Sequence, residues 1–377
     1  MKILQITNSF HPVIGGQEKV VLEISKGLVK KGHEVTVLTT DYLCEEKVGS
    51  GEKFDGIEIV RMKNDLWLAG YGYSPEAMKW LRKNYSKFDV VHCHGYNRYL
   101  PEFAVKFLFK KIPVVFTAHG FIHTKKNMIF KKIHDLTIGR VVRKADICTA
   151  LTELDFLDYE KLGVSKEKIL VLPNGVDIEK FSNRDEEVIR KFKTKFKLGK
   201  NVLLYVGRIH ESKGLQYVVD AIKNIDTTLL IVGRDGGYKK VLEEKIKERG
   251  IGEKVIFAGG LSDEEVVAAY QSSDAFVLFS EWEGFGIVII EAMAANLPVI
   301  SSDRGAIPYL IKDGKNGLMS EFKNVGALRD NIMKLFGDEK LRTKLIKSGK
   351  EFSENYSWEK IVEMVEEELN LSKILTK

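Results

Sequence analysis

The feature that most constrains the fold of this chain is a regular alternation of short apolar runs with amphipathic helical stretches. Helical periodicity is present at 18–31 and at 101–111, for example. The predicted strands of the first half are KILQIT, EVTVLTT, IEIVRM, DVVHCH, PVVFTAH and ICTALT. Alternation of this kind is typical of a mostly parallel sheet that is covered by helices. The chain is therefore predicted to be an α/β protein.

The alternation is interrupted once, by a turn at 173–176 and a charged stretch with few apolar residues. A second series of strands follows: VLLYVG, TLLIVG, VIFAGG, AFVLFS and LPVISS. The pattern predicts two Rossmann-like domains whose parallel sheets face each other across a cleft, where such sheets bind ligands. The predicted segments are an N-terminal domain at 1–177, a linker at 178–199, a C-terminal domain at 200–355 and, at 356–377, a C-terminal helix that packs back on the N-terminal domain.

Composition and charge argue against several classes of protein. Three cysteines are too few and too scattered for a disulfide framework, and no apolar run approaches the roughly 18 residues of a membrane span. We therefore expect a cytoplasmic protein. The net charge of +6 lies wholly in 1–177, which holds 27 Lys and Arg against 21 Asp and Glu. An excess this small, without a zinc-finger, RRM or helix-turn-helix pattern, does not predict nucleic-acid binding.

The strongest local pattern is a strand that runs into a glycine-containing loop and then a helix, at 275–293. Backbone amides at a helix N-terminus favour a phosphate group, and glycines allow a ligand to approach closely. The amides concerned are those of Phe285, Gly286 and Ile287. Glu283 lies in the loop and Glu291 in the helix, so that one could reach a sugar while the other accepts hydrogen bonds from a ribose diol. An ordinary strand–turn–helix with a solvated glutamate is the alternative.

Two cations follow the first strand of the second half, in the pattern Gly207-Arg208-x4-Lys213-Gly214. Placed near the carboxyl end of a strand, Arg208 and Lys213 would neutralise a diphosphate and stabilise it as a leaving group without a metal ion. The alternative is a pair of loop side chains in solvent.

Gly15 and Gly16 follow the first strand of the chain and would allow a phosphate or a sugar to approach the backbone. Neither GxGxxG nor GxxxxGK[ST] occurs, which argues against nucleotide-cofactor dehydrogenases and P-loop NTPases. His92 and His94 end one strand and His119 ends the next. Since no further ligand pair has zinc spacing, no metal site is predicted. His92 and His94 are expected to be buried, and His119 to contact a substrate hydroxyl.

Taken together, these motifs resemble the retaining glycosyltransferases of family 4, which have the GT-B fold. The matching motifs are GG at 15–16, HCH at 92–94, AHG at 118–120, PNGVD at 173–177, GR-x4-KG at 207–214, SSDAFVLFS at 272–280, E-x7-E at 283–291 and PVISSDRGAIPYLIKDGKNG at 298–317.

The resemblance implies that a nucleotide-sugar donor binds mainly to the second domain. Arg208 and Lys213 match the cations that bind the diphosphate, and Glu291 matches the residue that binds the ribose hydroxyls. Glu283 and the amides at 285–287 match the loop near the donor sugar and phosphate. In the first domain, His119 matches a residue close to the transferred sugar, and Gly16 matches the glycine loop that faces the diphosphate. The family needs neither a divalent metal nor another cofactor.

The implied reaction is transfer of a hexose with retention, by front-face attack of the acceptor hydroxyl as the nucleoside diphosphate departs. A phosphorylase or a sugar-nucleotide epimerase of the same fold, and a non-catalytic sugar-nucleotide-binding module, are the alternatives. The donor base is left open among UDP, GDP and ADP, and the positions expected near it are Gly233 and 257–259.

The first domain is expected to bind the acceptor, a glycolipid, a lipid-linked glycan or another saccharide. Two pairs of lysines flank the apolar residues of 125–132, and basic residues continue to Arg140, Arg143 and Lys144. The segment at 65–73 is rich in aromatic residues. Such segments predict a peripheral enzyme that contacts an anionic membrane at its inner face. A solvated basic helix whose apolar residues pack inward is the alternative.

Overall fold

The computed structural model describes residues 1–13, 15–44, 51–68, 71–121 and 128–375. The chain divides into two compact units: unit 1 is Met1–Gly175 with Trp358–Lys377, and unit 2 is Val176–Ser357. The strands, in chain order, are β1 Lys2–Ile6, β2 Glu34–Thr40, β3 Glu52–Phe54, β4 Ile57–Met62, β5 Leu66–Leu68, β6 Tyr71–Tyr73, β7 Val90–His94, β8 Val114–Thr117, β9 Ile147–Ala150, β10 Ile169–Val171, β11 Val202–Val206, β12 Thr228–Val232, β13 Val255–Gly259, β14 Ala275–Leu278, β15 Val299–Ser302 and β16 Leu318–Ser320.

The helices alternate with these strands. They are α1 Gly16–Lys30, α2 Pro75–Asn84, α3 Leu100–Leu108, α4 Met128–Leu136, α5 Glu153–Lys161, α6 Ile178–Ser182, α7 Glu186–Lys195, α8 Leu215–Ala221, α9 Lys239–Arg249, α10 Asp263–Gln271, α11 Ile287–Ala294, α12 Ile307–Leu310, α13 Val325–Gly337, α14 Glu339–Ser353 and α15 Trp358–Leu375. Short 3₁₀ turns lie at Tyr85–Lys87, Gly139–Lys144, Lys166–Lys168, Glu211–Lys213, Gly252–Lys254 and Glu354–Tyr356. No helix among the described residues has the length and apolar character needed to span a bilayer.

Unit 1 contains an eight-stranded sheet in the order β10-β9-β8-β7-β1-β2-β4-β3. All its pairs are parallel except β3 with β4, and β5 and β6 form a separate antiparallel pair. Strands β2, β4 and β3 lie on one side of β1, and strands β7 to β10 lie on its other side. The carboxyl ends of β1 and β7 therefore form the switch point at which sheets of this type bind ligands.

The C-terminal helix α15 belongs to unit 1 because it completes the hydrophobic core on one face of that sheet. Val362, Val365 and Leu369 of α15 share this core with Val20 and Ile24 of α1. The two helices approach so closely that a Cβ at Gly27 of α1 would lie 2.3 Å from Val362. The opposite face of the sheet packs against α2, α3 and α5.

Unit 2 contains a six-stranded parallel sheet in the order β13-β12-β11-β14-β15-β16. Apart from the edge strand β13, its strands are largely buried, as expected for a parallel sheet with helices on both faces. Strands β12 and β13 lie on one side of β11, and strands β14 to β16 lie on its other side. The switch point therefore lies at the carboxyl ends of β11 and β14.

The segment at 178–199, predicted as a linker, instead forms α6 and α7 within unit 2. Phe181, Ile189 and Phe192 are buried, and the Gln271 amide donates to the carbonyl oxygens of Phe181 and Asn183. Many exposed charges surround this narrow apolar face, so the overall composition resembled that of a linker. The chain passes between the units at 175–176 and 357–358.

One buried carboxyl group in α15 makes the stability of unit 1 depend on pH. Thr149 donates a hydrogen bond of 2.5 Å to Glu368, and burial raises the pKa of this carboxyl group to about 7. Because the folded pKa lies above the unfolded one, the stabilising protonated form is present at low pH and is lost as pH rises through about 7.

We therefore expect Glu368→Gln to gain stability relative to the wild type as pH rises, by about 3 kcal/mol between pH 4 and pH 8. Urea unfolding of both proteins across this range measures the difference. Glu367→Gln is the matched control, because Glu367 lies next to Glu368 on α15 but is exposed. A difference that stays constant with pH would show that Glu368 ionises as freely in the native state as in the unfolded chain.

Candidate functional site

In unit 2, the structure brings together two of the predicted site residues at the switch point. Lys213 precedes α8, Glu283 lies between β14 and α11, and Lys213 Nζ is 2.5 Å from Glu283 Oε1. Both side chains are largely buried, and Ser280 Oγ donates a hydrogen bond of 2.9 Å to the same carboxylate oxygen. A lysine ammonium has three N–H donors, so Lys213 can meet a second anion while it keeps this pair.

The loops that carry this pair are also joined through the backbone. The Glu281 amide donates to the Ser212 carbonyl oxygen at 2.7 Å. Gly214 has a φ of 69°, and a Cβ at this position would lie 1.9 Å from the Phe279 carbonyl oxygen. Glycine is therefore required at 214 for the two loops to pack against each other.

Arg208 has a fixed backbone and an exposed side chain. The Tyr205 hydroxyl donates a hydrogen bond of 2.8 Å to the Arg208 carbonyl oxygen. The amide of the neighbouring Gly207 donates one of 2.9 Å to the Val232 carbonyl oxygen, and the Arg208 side chain is exposed. A Cβ at Gly233 would lie 1.9 Å from the Gly207 carbonyl oxygen, so the ends of β11 and β12 are in close contact. This arrangement leaves the guanidinium group accessible to an anion at the sheet edge.

The predicted phosphate-binding loop ends at Gly286, which caps α11 with a φ of 91°. The first backbone amides of an α-helix have no intrahelical acceptor, and the helix dipole favours an anion at this end. The loop is supported by a neighbouring turn, in which the Ala306 amide donates to the Glu283 carbonyl oxygen at 2.9 Å. A Cβ at Gly305 would lie 2.5 Å from the same oxygen, so glycine is required there as well.

Glu291 lies one turn into α11 and is 7% exposed. The Tyr270 hydroxyl donates a hydrogen bond of 2.9 Å to its carboxylate. Burial and this nearby carboxylate raise the pKa of Tyr270 well above its usual value, so the tyrosine keeps its proton. Since a carboxylate can accept about four hydrogen bonds, this contact fixes the orientation of Glu291 and leaves capacity for ligand hydroxyls.

The positions predicted near a donor base also lie together in unit 2. The Gly233 amide donates to the Gly259 carbonyl oxygen at 2.8 Å. Phe257 and Gly259 are in β13, which pairs with β12.

In unit 1, Gly15 caps α1 and Gly16 is its first residue. A Cβ at Gly16 would meet no described atom within 4 Å, so the packing of the chain itself does not require glycine there. A Cβ at Gly15 would meet only the flexible carboxylate of Glu18. The described atoms around Gly16 leave room for the close approach of a ligand that the sequence predicts.

His119 lies two residues beyond the end of β8, has a φ of 57° and is partly exposed. Its Nε2 is 2.9 Å from His94 Nδ1. His92 and His94 are buried, which confirms the expectation from sequence, and burial lowers the pKa of His92 and of His119 to about 3. These histidines are therefore neutral at pH 7.

Sequence reasoning missed several residues that hold the site in place. They are Gln5, Ser280, Tyr270 and Gly305. Gln5 could have been noticed as a polar residue between Leu4 and Ile6 of β1, Ser280 and Gly305 lie within the matching motifs at 272–280 and 298–317, and Tyr270 lacks a local signal. Among the described residues, no group of three or more His, Cys, Asp and Glu side chains is arranged to hold a metal ion.

The predicted membrane-facing segments lie partly outside the described residues, at 69–70 and 125–127. Downstream of them, Ile133 and Leu136 of α4 are 55% and 61% exposed, and the neighbouring Lys132, Arg140 and Arg143 are exposed. The side chains of the apolar residues at 128–130, to which the membrane prediction and its alternative both refer, lie outside the described residues.

Comparison with known proteins assigns both halves of the chain. A family model described as Glycosyltransferase Family 4 matches residues 14–180, and one described as Glycosyl transferases group 1 matches residues 186–352. An uncharacterized glycosyltransferase of Methanocaldococcus jannaschii is 30% identical over 373 residues, which cover 96% of each chain.

Two characterised proteins are also similar to the chain. The GDP-mannose:cellobiosyl-diphosphopolyprenol alpha-mannosyltransferase of Xanthomonas campestris is 28% identical over 346 residues, which cover 89% of this chain and 87% of the mannosyltransferase. The structure of Anabaena HepE in complex with UDP-glucose has a TM-score of 0.80 at 21% identity, and the match covers 98% of this chain and 100% of HepE. At this identity the structural likeness shows the fold alone.

Proposed function

The chain belongs to the family 4 glycosyltransferases of the GT-B fold, and we propose that it transfers a hexose from a nucleoside-diphosphate sugar to an acceptor hydroxyl, with retention and without a metal ion. The observation that carries this proposal is the pairing of Lys213 with Glu283, next to the N-terminus of α11. Cations and free backbone amides at one sheet edge suit a diphosphate.

Each part of the donor has a proposed partner in unit 2. Arg208, Lys213 and the amides of 285–287 bind the diphosphate, and Glu291, held by Tyr270, accepts hydrogen bonds from the ribose hydroxyls. Glu283 orients Lys213 and contacts the donor sugar. In unit 1, Gly16 approaches the diphosphate and His119 contacts a hydroxyl of the transferred sugar.

The proposed chemistry is a front-face displacement. The bond from the anomeric carbon to the diphosphate oxygen breaks as the bond to the acceptor oxygen forms on the same face. The acceptor proton passes to the departing phosphate oxygen. Arg208 and Lys213 stabilise the negative charge that grows on the diphosphate, which is the kind of preorganised electrostatic stabilisation that contributes most to many enzymes.

The donor proposal is tested by thermal unfolding with UDP, GDP and ADP, each in excess EDTA. A ligand at about 100 times its dissociation constant stabilises the folded protein by roughly 2.7 kcal/mol. We expect one nucleotide to raise the Tm despite EDTA, and the corresponding nucleoside, which lacks the diphosphate, to have little effect. A shift that requires a divalent cation would contradict metal independence, and no shift with any nucleotide would contradict the proposed donor site.

The proposed acceptor is a membrane-proximal or lipid-linked saccharide, which would give the enzyme a role in glycolipid or cell-envelope synthesis. The Xanthomonas relative is named for a diphosphopolyprenol acceptor. In this chain, exposed Ile133 and Leu136 share one face of α4 and lie near basic residues. Apolar side chains surrounded by cations favour contact with an anionic membrane surface.

Co-sedimentation with vesicles tests the membrane contact. We expect the protein to bind vesicles that contain anionic lipid, to bind neutral vesicles weakly and to dissociate at high salt. Leu136→Ser should weaken this binding, whereas the control Met333→Ser, which alters an exposed apolar side chain of unit 2, should not. Equal binding to neutral and anionic vesicles, or none to either, would contradict the proposed contact.

A further inference from the structure

A chain of hydrogen bonds connects the interior of unit 1 to His119. Gln5 is in β1, His94 ends β7, and His119 follows β8. Gln5 Oε1 is 2.5 Å from His94 Nε2, and His94 Nδ1 is 2.9 Å from His119 Nε2. Gln5 and His94 are completely buried. Strands β1 and β7 and the segment that follows β8 therefore each contribute one polar side chain to a single chain of hydrogen bonds.

All three histidines of this region are neutral at physiological pH. Burial lowers the pKa of His94 well below its usual value, and the nearby rings of His92 and His119 lower it further. The His92 and His94 rings lie 3.9 Å apart, so protonation of both would place two cations in contact in the interior. Each ring therefore carries a single N–H.

The position of each hydrogen follows from the first member of the chain. A carboxamide oxygen only accepts hydrogen bonds, so His94 carries its hydrogen on Nε2 and donates it to Gln5. His94 Nδ1 is then an acceptor. His119 must consequently donate from Nε2, and its Nδ1 carries a lone pair.

We propose that Gln5 and His94 are positioning residues that hold His119 in its Nε2–H tautomer, so that His119 Nδ1 accepts a hydrogen bond from a hydroxyl of the donor sugar. The sugar contact rests on the proposed function, whereas the tautomer does not. The enzyme would thus select a sugar with a hydroxyl that can donate at this position.

The tautomer is measured directly by ¹⁵N NMR of the histidine rings in the full chain without ligand, between pH 6 and pH 8. His119→Asn identifies the His119 signals by their loss. We expect both His94 and His119 to carry hydrogen on Nε2 throughout this range. An Nδ1–H tautomer at His119, which a reversed Gln5 amide would produce, overturns the proposal, as does rapid exchange between the two tautomers.

Kinetics of Gln5→Leu test the consequence for the donor. Without the acceptor at residue 5, His119 is no longer restricted to one tautomer, and we expect kcat/KM for the donor to fall about tenfold, the effect of one hydrogen bond. Affinity for the free nucleoside diphosphate should be unchanged, because it lacks the sugar. Gln271→Leu, which removes a buried amide of unit 2, is the control for general destabilisation.

Gln5→Glu separates positioning from packing. The carboxylate keeps the acceptor for His94 but favours protonation of the ring, and the protonated ring would donate to His119 and reverse its tautomer. His92 and His119 are titratable groups in contact with His94, and Glu368 of α15 lines the same cavity as His92 and His119, so its titration near pH 7 is common to wild type and variant. We expect near-normal kcat/KM at high pH and a new loss of activity as pH falls. A pH profile like that of the wild type would overturn the positioning role.

These readouts keep the two proposals distinguishable. Failure of every nucleoside diphosphate to bind would contradict the donor site while the tautomer of His119 stands as measured. An Nδ1–H tautomer in a protein that binds a nucleotide and transfers sugar would contradict only the inference about Gln5 and His94.

Discussion

Replacement of Arg208 with alanine is expected to lower kcat by about 10²-fold or more, the size of effect seen when one electrostatic stabiliser of a transition state is removed. The guanidinium group is exposed at the carboxyl end of β11, on a backbone that Tyr205 and Gly207 hold in place. It is proposed to stabilise charge that develops only as the nucleoside diphosphate departs. Its loss should therefore reduce kcat more than it weakens donor binding.

Initial rates at saturating donor, with product formation followed directly, measure this effect. Arg208→Lys retains the positive charge but lacks the planar guanidinium donors, so its kcat should lie between those of Arg208→Ala and the wild type. Arg249→Ala is the matched control, since Arg249 at the end of α9 forms an ion pair with Asp220 of α8. Full activity of Arg208→Ala would remove the proposed role of this cation in leaving-group departure.

Substitution of Gly214 by alanine is expected to disrupt the site through the backbone. The new Cβ would lie 1.9 Å from the Phe279 carbonyl oxygen, and φ at this residue is 69°. A backbone atom cannot move aside as a side chain can, so the loop that carries Lys213 must shift from the loop that carries Glu283. We expect a loss of stability on the order of 3 kcal/mol from strain and overpacking, together with loss of donor binding.

Thermal unfolding with and without the stabilising nucleotide reports both effects. Gly252→Ala is the control, because a Cβ at that position meets no described atom within 4 Å. A wild-type Tm and an unchanged nucleotide shift in Gly214→Ala would show that the two loops tolerate separation, and would weaken the argument that their contact builds the site.

The sequence predicted the architecture where the signal is local. Most strands of the two sheets are apolar runs of a few residues, with β3 as an exception, and the predicted donor residues lie in the loops and helices that follow such runs. The charged stretch at 178–199 was the exception: its apolar residues at 181, 189 and 192 were too few to stand out. Only their contacts with unit 2, such as the Gln271 hydrogen bonds, distinguish two packed helices from a linker.

Roles that depend on partners far away in the chain could not be read from spacing. Glu283 was predicted from a motif, but its ion pair with Lys213, 70 residues away, depends on the order of strands in the sheet. Gln5 and His94 are 89 residues apart and meet because β1 and β7 are adjacent.

The sequence by itself therefore determined the α/β class, the two series of strands and the residues that gather at the carboxyl ends of those strands. These properties follow from periodicity and turn chemistry, which act over a few residues. The tertiary structure decided which residues pair, which unit receives α6, α7 and α15, and that His119 lies against His94. Those outcomes depend on strand order and burial, because both are set by contacts between distant segments of the chain.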